Sequence, residues 1–473
     1  VRAHLTPGVE IRFYDDDPTA SIAVLQAGRT GGQPSLSILT NGKSDGSTSA
    51  DYPTMGLAAL LPALVADPLE SAFVIGFGTG VTVGELAALA ATQRVVVAEI
   101  SPGVVAAAPL FDPVNLGASN HPQVELVRSD AYRALLRSDE RYDAIVSEPS
   151  NPWVTGVEML YSREFLAAAR SRLRPGGVYV QWFHQYETDA ASVELVLRTY
   201  LSVFEEVAVW YGAGPDLLLL GFADSAAGLA LERLEQRAAQ PDIAAGLRRC
   251  GVESLPELLA HELLPAGVLQ AIGLTGPTHT LLHPRLSHSA GKAFFAGGIG
   301  GLPFTGFGEP ARMGARQSLL RRYLARFGGP APEEVYAALA REACRYRVDR
   351  CTVALADWSL HRPDSANLAR VITEASSNPM FGGPLAAGIV PRVRAVLAGA
   401  AASADATTFA QAQQETQAFA NHYDHGFAFD AARLLARWDH CSGATKQCEL
   451  GRERARALLA SGGRRGGGEQ AMP

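Results

Sequence analysis

The chain has 473 residues, 47% hydrophobic and only 19% charged, which excludes disorder of the chain as a whole and, at roughly 150 residues per domain, predicts two or three domains. Acidic residues outnumber basic ones by 48 to 41, a net charge of −7, and this excludes a general nucleic-acid binder, whose affinity rests on neutralising phosphates. Lysine occurs only at Lys43, Lys292 and Lys446, so 38 of the basic residues are arginine, a bias of genome composition rather than a set of chosen contacts.

No apolar run reaches the roughly 18 residues of a membrane-spanning helix. The best stretch, residues 55–66, is short and contains Pro62. A signal-peptide pattern is lacking, and the first residue is Val1 rather than Met, so the start reads as a fragment boundary.

Between residues 11 and 51, short apolar-alternating segments at 21–25 and 35–39 predict strands, and Asn41-Gly42 is a hairpin turn signal. A small antiparallel sheet is expected over residues 1–55, followed by a helix at 54–66. Over residues 56–225, buried-type apolar runs at 72–76, 95–99, 124–127, 142–146 and 178–182 alternate with helical segments at 81–91, 102–110, 131–136, 162–173 and 190–203. Segments 207–211 and 217–222 then read as a hairpin. Five parallel strands closed by an antiparallel pair predict an α/β fold of the class I S-adenosylmethionine-dependent, Rossmann-like type. Residues 226–325 begin helical and turn rich in Gly, Pro and His, so an irregular extension is expected there, and 326–460 read as a helical, repeat-like domain with patterns at 336–344, 351–358 and 430–438. The Gly-Arg-rich tail at 461–473 is expected to be disordered.

Cys344 with Cys351 and Cys441 with Cys448 are two equally spaced pairs, each with six intervening residues. Local disulfides, free thiols and a metal site remain open as readings, and disulfides would indicate an oxidising compartment.

Chemistry is written first in Gly76-Phe77-Gly78-Thr79-Gly80, after a buried strand and before a helix, where glycines let the backbone approach a ligand. Glu99, 19 residues past Gly80 at the end of the next strand, is placed to bind ribose hydroxyls. Asp130, followed by Ala131, ends the third strand, either receiving an adenine amino group or capping the next helix. Together these predict an adenosyl-bearing co-substrate. The next motif is Ser147-Glu148-Pro149-Ser150-Asn151-Pro152-Trp153, after the fourth strand. Its prolines stiffen the loop, so Glu148 is a candidate general base or cation-binding group, or else the loop serves packing alone.

These motifs carry a resemblance. Asn41-Gly42-Lys43-Ser44-Asp45, Asp51-Tyr52-Pro53-Thr54, Leu61-Pro62, the glycine loop, Glu99-Ile100, Asp130-Ala131, Tyr142-Asp143, the Glu148 loop, Tyr161-Ser162-Arg163-Glu164-Phe165 and Leu173-Arg174-Pro175-Gly176-Gly177-Val178 resemble the spermidine synthase family of polyamine aminopropyltransferases. The likeness covers roughly residues 10–225 and is nearest to the bacterial branch often fused to membrane-spanning helices. It implies a small N-terminal sheet domain before the Rossmann-like one. It further implies transfer of an aminopropyl group from decarboxylated S-adenosylmethionine to putrescine or a similar amine, with no metal. Glu148 would be the base, Gly76, Gly78, Thr79, Gly80, Glu99, Asp130 and Ala131 would hold the donor, and Asp51, Asn151, Trp153 and Tyr186 would contact the amine.

The pattern departs from the family at three places. Asn151 stands where the family's Asp-x-x-Asp-Pro loop has its second acid, Thr79 replaces an Asp in the glycine loop, and Met55 replaces a polar Gln. Two other readings therefore stand beside aminopropyl transfer: methyl transfer from S-adenosylmethionine, and a non-catalytic adenosyl-binding assembly module. Trp182, His184 and Tyr186 either line the acceptor site or form a packed strand end. His279, His283 and His288 lack the interleaved ligands of a metal site. We expect a small-molecule amine partner, a homo-oligomer, protein contacts through the helical extension, and a soluble portion, cytoplasmic or tethered by a segment preceding Val1.

Overall fold

The computed structural model describes residues 8–30, 32–66, 68–154, 156–224, 229–297, 300–302, 317–379, 381–401 and 406–421. Two compact units are present, Val1–Leu255 with Leu274–Gly300, and Pro256–Gly273 with Gly301–Pro473.

The first unit opens with an antiparallel sheet of β1 (Val9–Asp16), β2 (Ser21–Thr30), β3 (Gln33–Thr40) and β4 (Lys43–Ser47), in that order. Asn41 and Gly42 have φ of 52° and 84°, as a tight hairpin turn requires, and they set Thr40 opposite Lys43. The predicted hairpin is therefore present, with Lys43 at its tip.

Next come α1 (Tyr52–Val65), β5 (Ser71–Ile75), α2 (Val81–Ala87), β6 (Arg94–Glu99), α3 (Pro102–Ala107), β7 (Val124–Arg128), α4 (Ala131–Arg137) and β8 (Tyr142–Ser147). They continue into α5 (Arg163–Ser171), β9 (Leu173–His184), α6 (Ala190–Leu201), β10 (Val207–Tyr211) and β11 (Asp216–Phe222). These strands lie in the order β10-β11-β9-β8-β5-β6-β7. The pairs from β7 through β9 are parallel, while β9–β11 and β11–β10 are antiparallel, as the sequence predicts for the Rossmann-like class. Covered on both faces, β8, β10 and β11 are buried at every residue, which is why they read as mainly apolar runs, broken by Asp143 and Ser147 in β8 and by Asp216 at the start of β11. The chain moves outward from β5 to β7 and then returns to β8, so the strand order reverses between β5 and β8. Ligands bind at such a reversal, beyond the carboxyl ends of the strands.

Several boundaries differ from expectation. The helix predicted to reach residue 173 stops at Ser171, because Leu173 already pairs with Tyr142 and Pro175-Gly176 cannot continue a helix. β9 runs to His184 because β11 pairs along it as far as Asp216 opposite His184. The helix predicted over 102–110 becomes a tighter turn from Ala108, since Pro109 has no N–H to donate. The helix predicted over 81–91 ends at Ala87.

α2 is held at close quarters. A Cβ on Gly84 would lie 1.8 Å from the backbone oxygen of Asn115, and Asn115 Nδ2 donates to the Thr79 carbonyl at 2.9 Å. The same contact therefore fixes the glycine loop. Gly84→Ala is expected to lose about 3 kcal/mol, the upper end of overpacking, read as a lower denaturant midpoint with unchanged slope. Glu85 beside it is fully buried, and it accepts from Tyr52 at 2.6 Å and from Arg249 through both oxygens at 2.6 Å. Helices Leu231–Ala238, Pro241–Arg249 and Arg285–Ala296 complete this unit.

The second unit is helical over Glu333–Tyr346, Val348–His361, Ala366–Ser376, Gly382–Ala387, Ile389–Ala401 and Ala406–Asn421. Leu339, Leu355, Trp358, Ile372, Ile389 and Phe419 form its core. Cys344 and Cys351 form a disulfide between the first two of these helices, which selects one of the three readings for this pair, whereas Cys250 is buried and takes part in no disulfide. The pattern at 430–438, the pair Cys441 and Cys448, and the tail at 461–473 lie outside the described residues. Among the described residues, no helix is long and apolar enough to cross a membrane.

Candidate active site

A cleft of about 890 Å³ lies over the carboxyl ends of β5, β6, β7 and β8 and is walled on another side by the β3–β4 hairpin. Of the residues expected to hold a donor, Gly76, Gly78, Thr79, Glu99, Asp130 and Ala131 line it. Gly78, with φ of 52°, would have nothing within 4 Å of an added Cβ, so backbone faces open space there. Gly80 does not line the cleft. It caps α2 with φ of 73°, and a Cβ on it would meet Asn115 Nδ2 at 2.5 Å and the Phe77 ring at 2.6 Å. Glu99 is buried, and its carboxylate accepts from Phe77 N at 2.9 Å and Ser101 N at 2.8 Å, which fixes its direction. Burial raises its pKa above the ordinary value against the pull of those backbone donors. Asp130 Oδ1 accepts from Arg133 N at 2.8 Å, so the residue caps α4 while also lining the cleft.

Glu148, directly after β8, faces this cleft. Desolvation pushes its pKa up to about 7, opposed by the Thr82 hydroxyl and reinforced by the charge of Asp216. Thr82 Oγ1 lies 2.7 Å from Glu148 Oε2 and 2.9 Å from the Met55 carbonyl oxygen. One hydroxyl proton serves one acceptor at a time. Both contacts are hydrogen bonds only when Glu148 is protonated and donates to Thr82, which donates onward to Met55. When Glu148 ionises, the hydroxyl turns back to it. The pair is thus built to hold a proton near neutral pH and to release it.

Asp216 is the site residue that sequence reasoning missed. It is buried, lines the cleft and accepts from Thr54 Oγ1 at 2.8 Å, while Thr54 accepts from Ala213 N at 2.8 Å. Desolvation raises its pKa to about 7, with the nearby charge of Asp51 acting in the same direction. The available signal was an acid directly before the wholly apolar run Leu217–Leu220, at a strand end where nothing in a core explains a charge. Asp51 lines the cleft and accepts from Ser47 N at 2.7 Å. Tyr186 lines it too, its phenol pKa raised by burial and then by surrounding carboxylates, of which Asp216 and Asp51 act most strongly.

Asn151 and Trp153 are not among the lining residues. Asn151 is buried, with its amide 3.4 Å from Asp45 Oδ1. Trp153 stands edge-on to His184 at 5.0 Å and packs against Phe294 at 4.8 Å between ring centres. Trp182 lines the cleft, whereas His184 is fully buried and donates from Nδ1 to the Tyr186 carbonyl at 2.6 Å. Burial lowers the His184 pKa to about 4, so it is a neutral packing residue. Thr79 Oγ1 donates to Met55 Sδ at 3.1 Å, so the departure in the glycine loop and the one in α1 satisfy each other. His279 uses both ring nitrogens on backbone, Nε2 with the Glu158 carbonyl at 2.8 Å and Nδ1 with Leu286 N at 3.3 Å. Among the described residues, no three His, Cys, Asp or Glu side chains are gathered for a metal.

Residues 59–221 match the family model of the spermine/spermidine synthase domain. The chain is 28% identical over 147 residues to a polyamine aminopropyltransferase of Thermococcus onnurineus, covering 31% of this chain and 49% of that protein. It is 29% identical over 221 residues to polyamine aminopropyltransferase 1 of Pseudomonas aeruginosa, covering 45% of this chain and 75% of that one. The chain thus spans about half the length of the first relative. A solved spermidine synthase in complex with the transition-state analogue AdoDATO aligns with a TM-score of 0.41 at 15% identity, covering 51% of this chain and 88% of that one.

Proposed function

We propose, on the premise that residues 59–221 belong to the spermidine synthase-like family, that this chain transfers an aminopropyl group from decarboxylated S-adenosylmethionine to an amine. The observation that carries the proposal is Glu148 in one cleft with the glycine loop, Glu99 and Asp216.

In such a transfer the free amine attacks the methylene carbon next to the sulfonium, a C–N bond forms, the C–S bond breaks, and methylthioadenosine leaves as a neutral thioether. The attacking nitrogen needs its lone pair and sheds one proton. Glu148, poised near neutral pH, accepts that proton, and Thr82 then receives a hydrogen bond from the protonated carboxyl. Asp216 and Asp51 hold the amine, which arrives as a cation, and so supply negative charge that Asn151 does not. Glu99 and the Gly78 backbone support the adenosyl half, with Asp130 alongside.

The test is incubation with decarboxylated S-adenosylmethionine, and separately with S-adenosylmethionine, across a panel of amines, with products identified by mass spectrometry. Methylthioadenosine is the expected product, and its absence with every amine would sink the proposal. Methyl transfer is the second reading, favoured by one observation. Thr79 bonded to Met55 gives the donor's amino tail no carboxylate, and S-adenosylhomocysteine would be its signature.

A further inference from the structure

The acceptor side of the cleft carries a cation that belongs to the chain itself. Lys43, at the tip of the β3–β4 hairpin, places its ammonium 4.1 Å from the centre of the Trp153 ring, 5.1 Å from Phe294 and 5.7 Å from Tyr186. The same nitrogen is ion-paired to Glu187, with both side chains 34% exposed. Aromatic faces around an ammonium, closed by a carboxylate, are the surroundings that recognise an alkylammonium ligand. Glu187 has φ of 50°, the left-handed region that non-glycine residues seldom enter, so the backbone accepts strain at the residue that completes the pair.

This cage adjoins the amine-binding carboxylates. Lys43, Tyr186, Asp216, Asp51 and Glu148 all line the one cleft. Tyr186 is the shared wall, with its ring facing Lys43 and its hydroxyl in the field of Asp216 and Asp51. Of the cage, Lys43 and Tyr186 face the cleft, whereas Trp153, Phe294 and Glu187 do not line it, so Lys43 is the member that the far end of an amine held at Glu148 and Asp216 would meet. A second ammonium arriving there meets a like charge and a cage already filled by Lys43. A neutral end meets neither obstacle, whereas an anionic one meets Glu187 and Asp45, the carboxylates beside Lys43.

Resting on the aminopropyl-transfer reading, we infer that Lys43 is a specificity-determining residue. It makes the acceptor a monocationic amine, with one reactive amino group on a chain whose far end is neutral, in place of a diamine with two ammonium ends. Selection here works by repulsion as much as by attraction.

Lys43→Met keeps the apolar stem, removes the charge and leaves Glu187 and the rings as an ammonium receptor; Lys43→Gln serves if that variant does not fold. The measurement is calorimetric titration of the full chain, preloaded with methylthioadenosine, with butylamine and with putrescine. The wild-type chain is expected to bind putrescine no more tightly than butylamine. The variant is expected to bind putrescine about tenfold more tightly than butylamine, with its butylamine affinity held. A putrescine-to-butylamine ratio unmoved by the substitution overturns the inference, as does the absence of amine binding to both proteins. The readout is binding, so a shifted ratio without methylthioadenosine formation would sink the transfer reading and leave the role of Lys43 standing.

Discussion

Replacing Glu148 with Gln is expected to lower kcat for methylthioadenosine formation by about 10²- to 10⁴-fold, the span that a positioned general base contributes. Gln has the same shape, and its carbonyl still accepts from Thr82, whose oxygen lies 2.7 Å from the native carboxylate, so the loop keeps its anchor and loses only the ability to take a proton. The pH profile supplies an independent signature. The base works ionised, and its pKa is pushed up to about 7, so wild-type kcat is expected to rise as pH increases through 7 while the variant loses that rise. Stability moves in the opposite sense. A carboxyl whose folded pKa exceeds its unfolded value contributes stability that is fully present below the unfolded value of 4.5 and is lost as pH rises through about 7. Glu148→Gln is therefore expected to match wild type in thermal unfolding at low pH and to exceed it at pH values above 7. Rates within about threefold of wild type across that range would remove Glu148 from the role of base.

The central sheet of the first unit was legible because strands such as β8, β10 and β11 are buried on both faces and carry no polar alternation to confuse the reading. The hairpin at Asn41-Gly42 was legible because two successive positive φ angles demand those residues. Side-chain direction within an irregular loop was not legible. Pro149 and Pro152 announce a stiff turn after Glu148, yet nothing in their order says that Glu148 turns into the cleft while Trp153 turns toward Phe294. Partners brought together only by sheet order were hidden as well. Asp216 enters the cleft of Glu148 because β11 runs antiparallel to β9 and sets Asp216 opposite His184, and Lys43 reaches Trp153 because one hairpin from the small sheet overhangs the larger one. The family pattern directs attention to Asn151 as a lost acid. The fold offers a buried carboxylate from a different strand, which no local motif encodes.

Asp216→Asn separates that amine-holding role from a packing role, because its two expected effects have opposite signs. Loss of one charge-assisted contact to a cationic amine, worth about 1.5–3 kcal/mol, is expected to raise the amine KM by about 10- to 100-fold while leaving the donor KM unchanged. Asn keeps a carbonyl to accept from Thr54 Oγ1, 2.8 Å from the native carboxylate, and the strand pairing opposite His184 is untouched. Burial raises the Asp216 pKa to about 7 from 3.8, so its contribution to stability is present below the unfolded value and fades as pH rises through 7. Above that pH the folded chain carries a desolvated charge that the variant lacks, and Asp216→Asn is expected to unfold at a higher temperature than wild type, with the difference vanishing in acid. A residue that only completed the core would lose stability on substitution and leave the amine KM in place. An amine KM within about twofold of wild type would exclude Asp216 from the acceptor site, and the anionic subsite would then rest on Asp51.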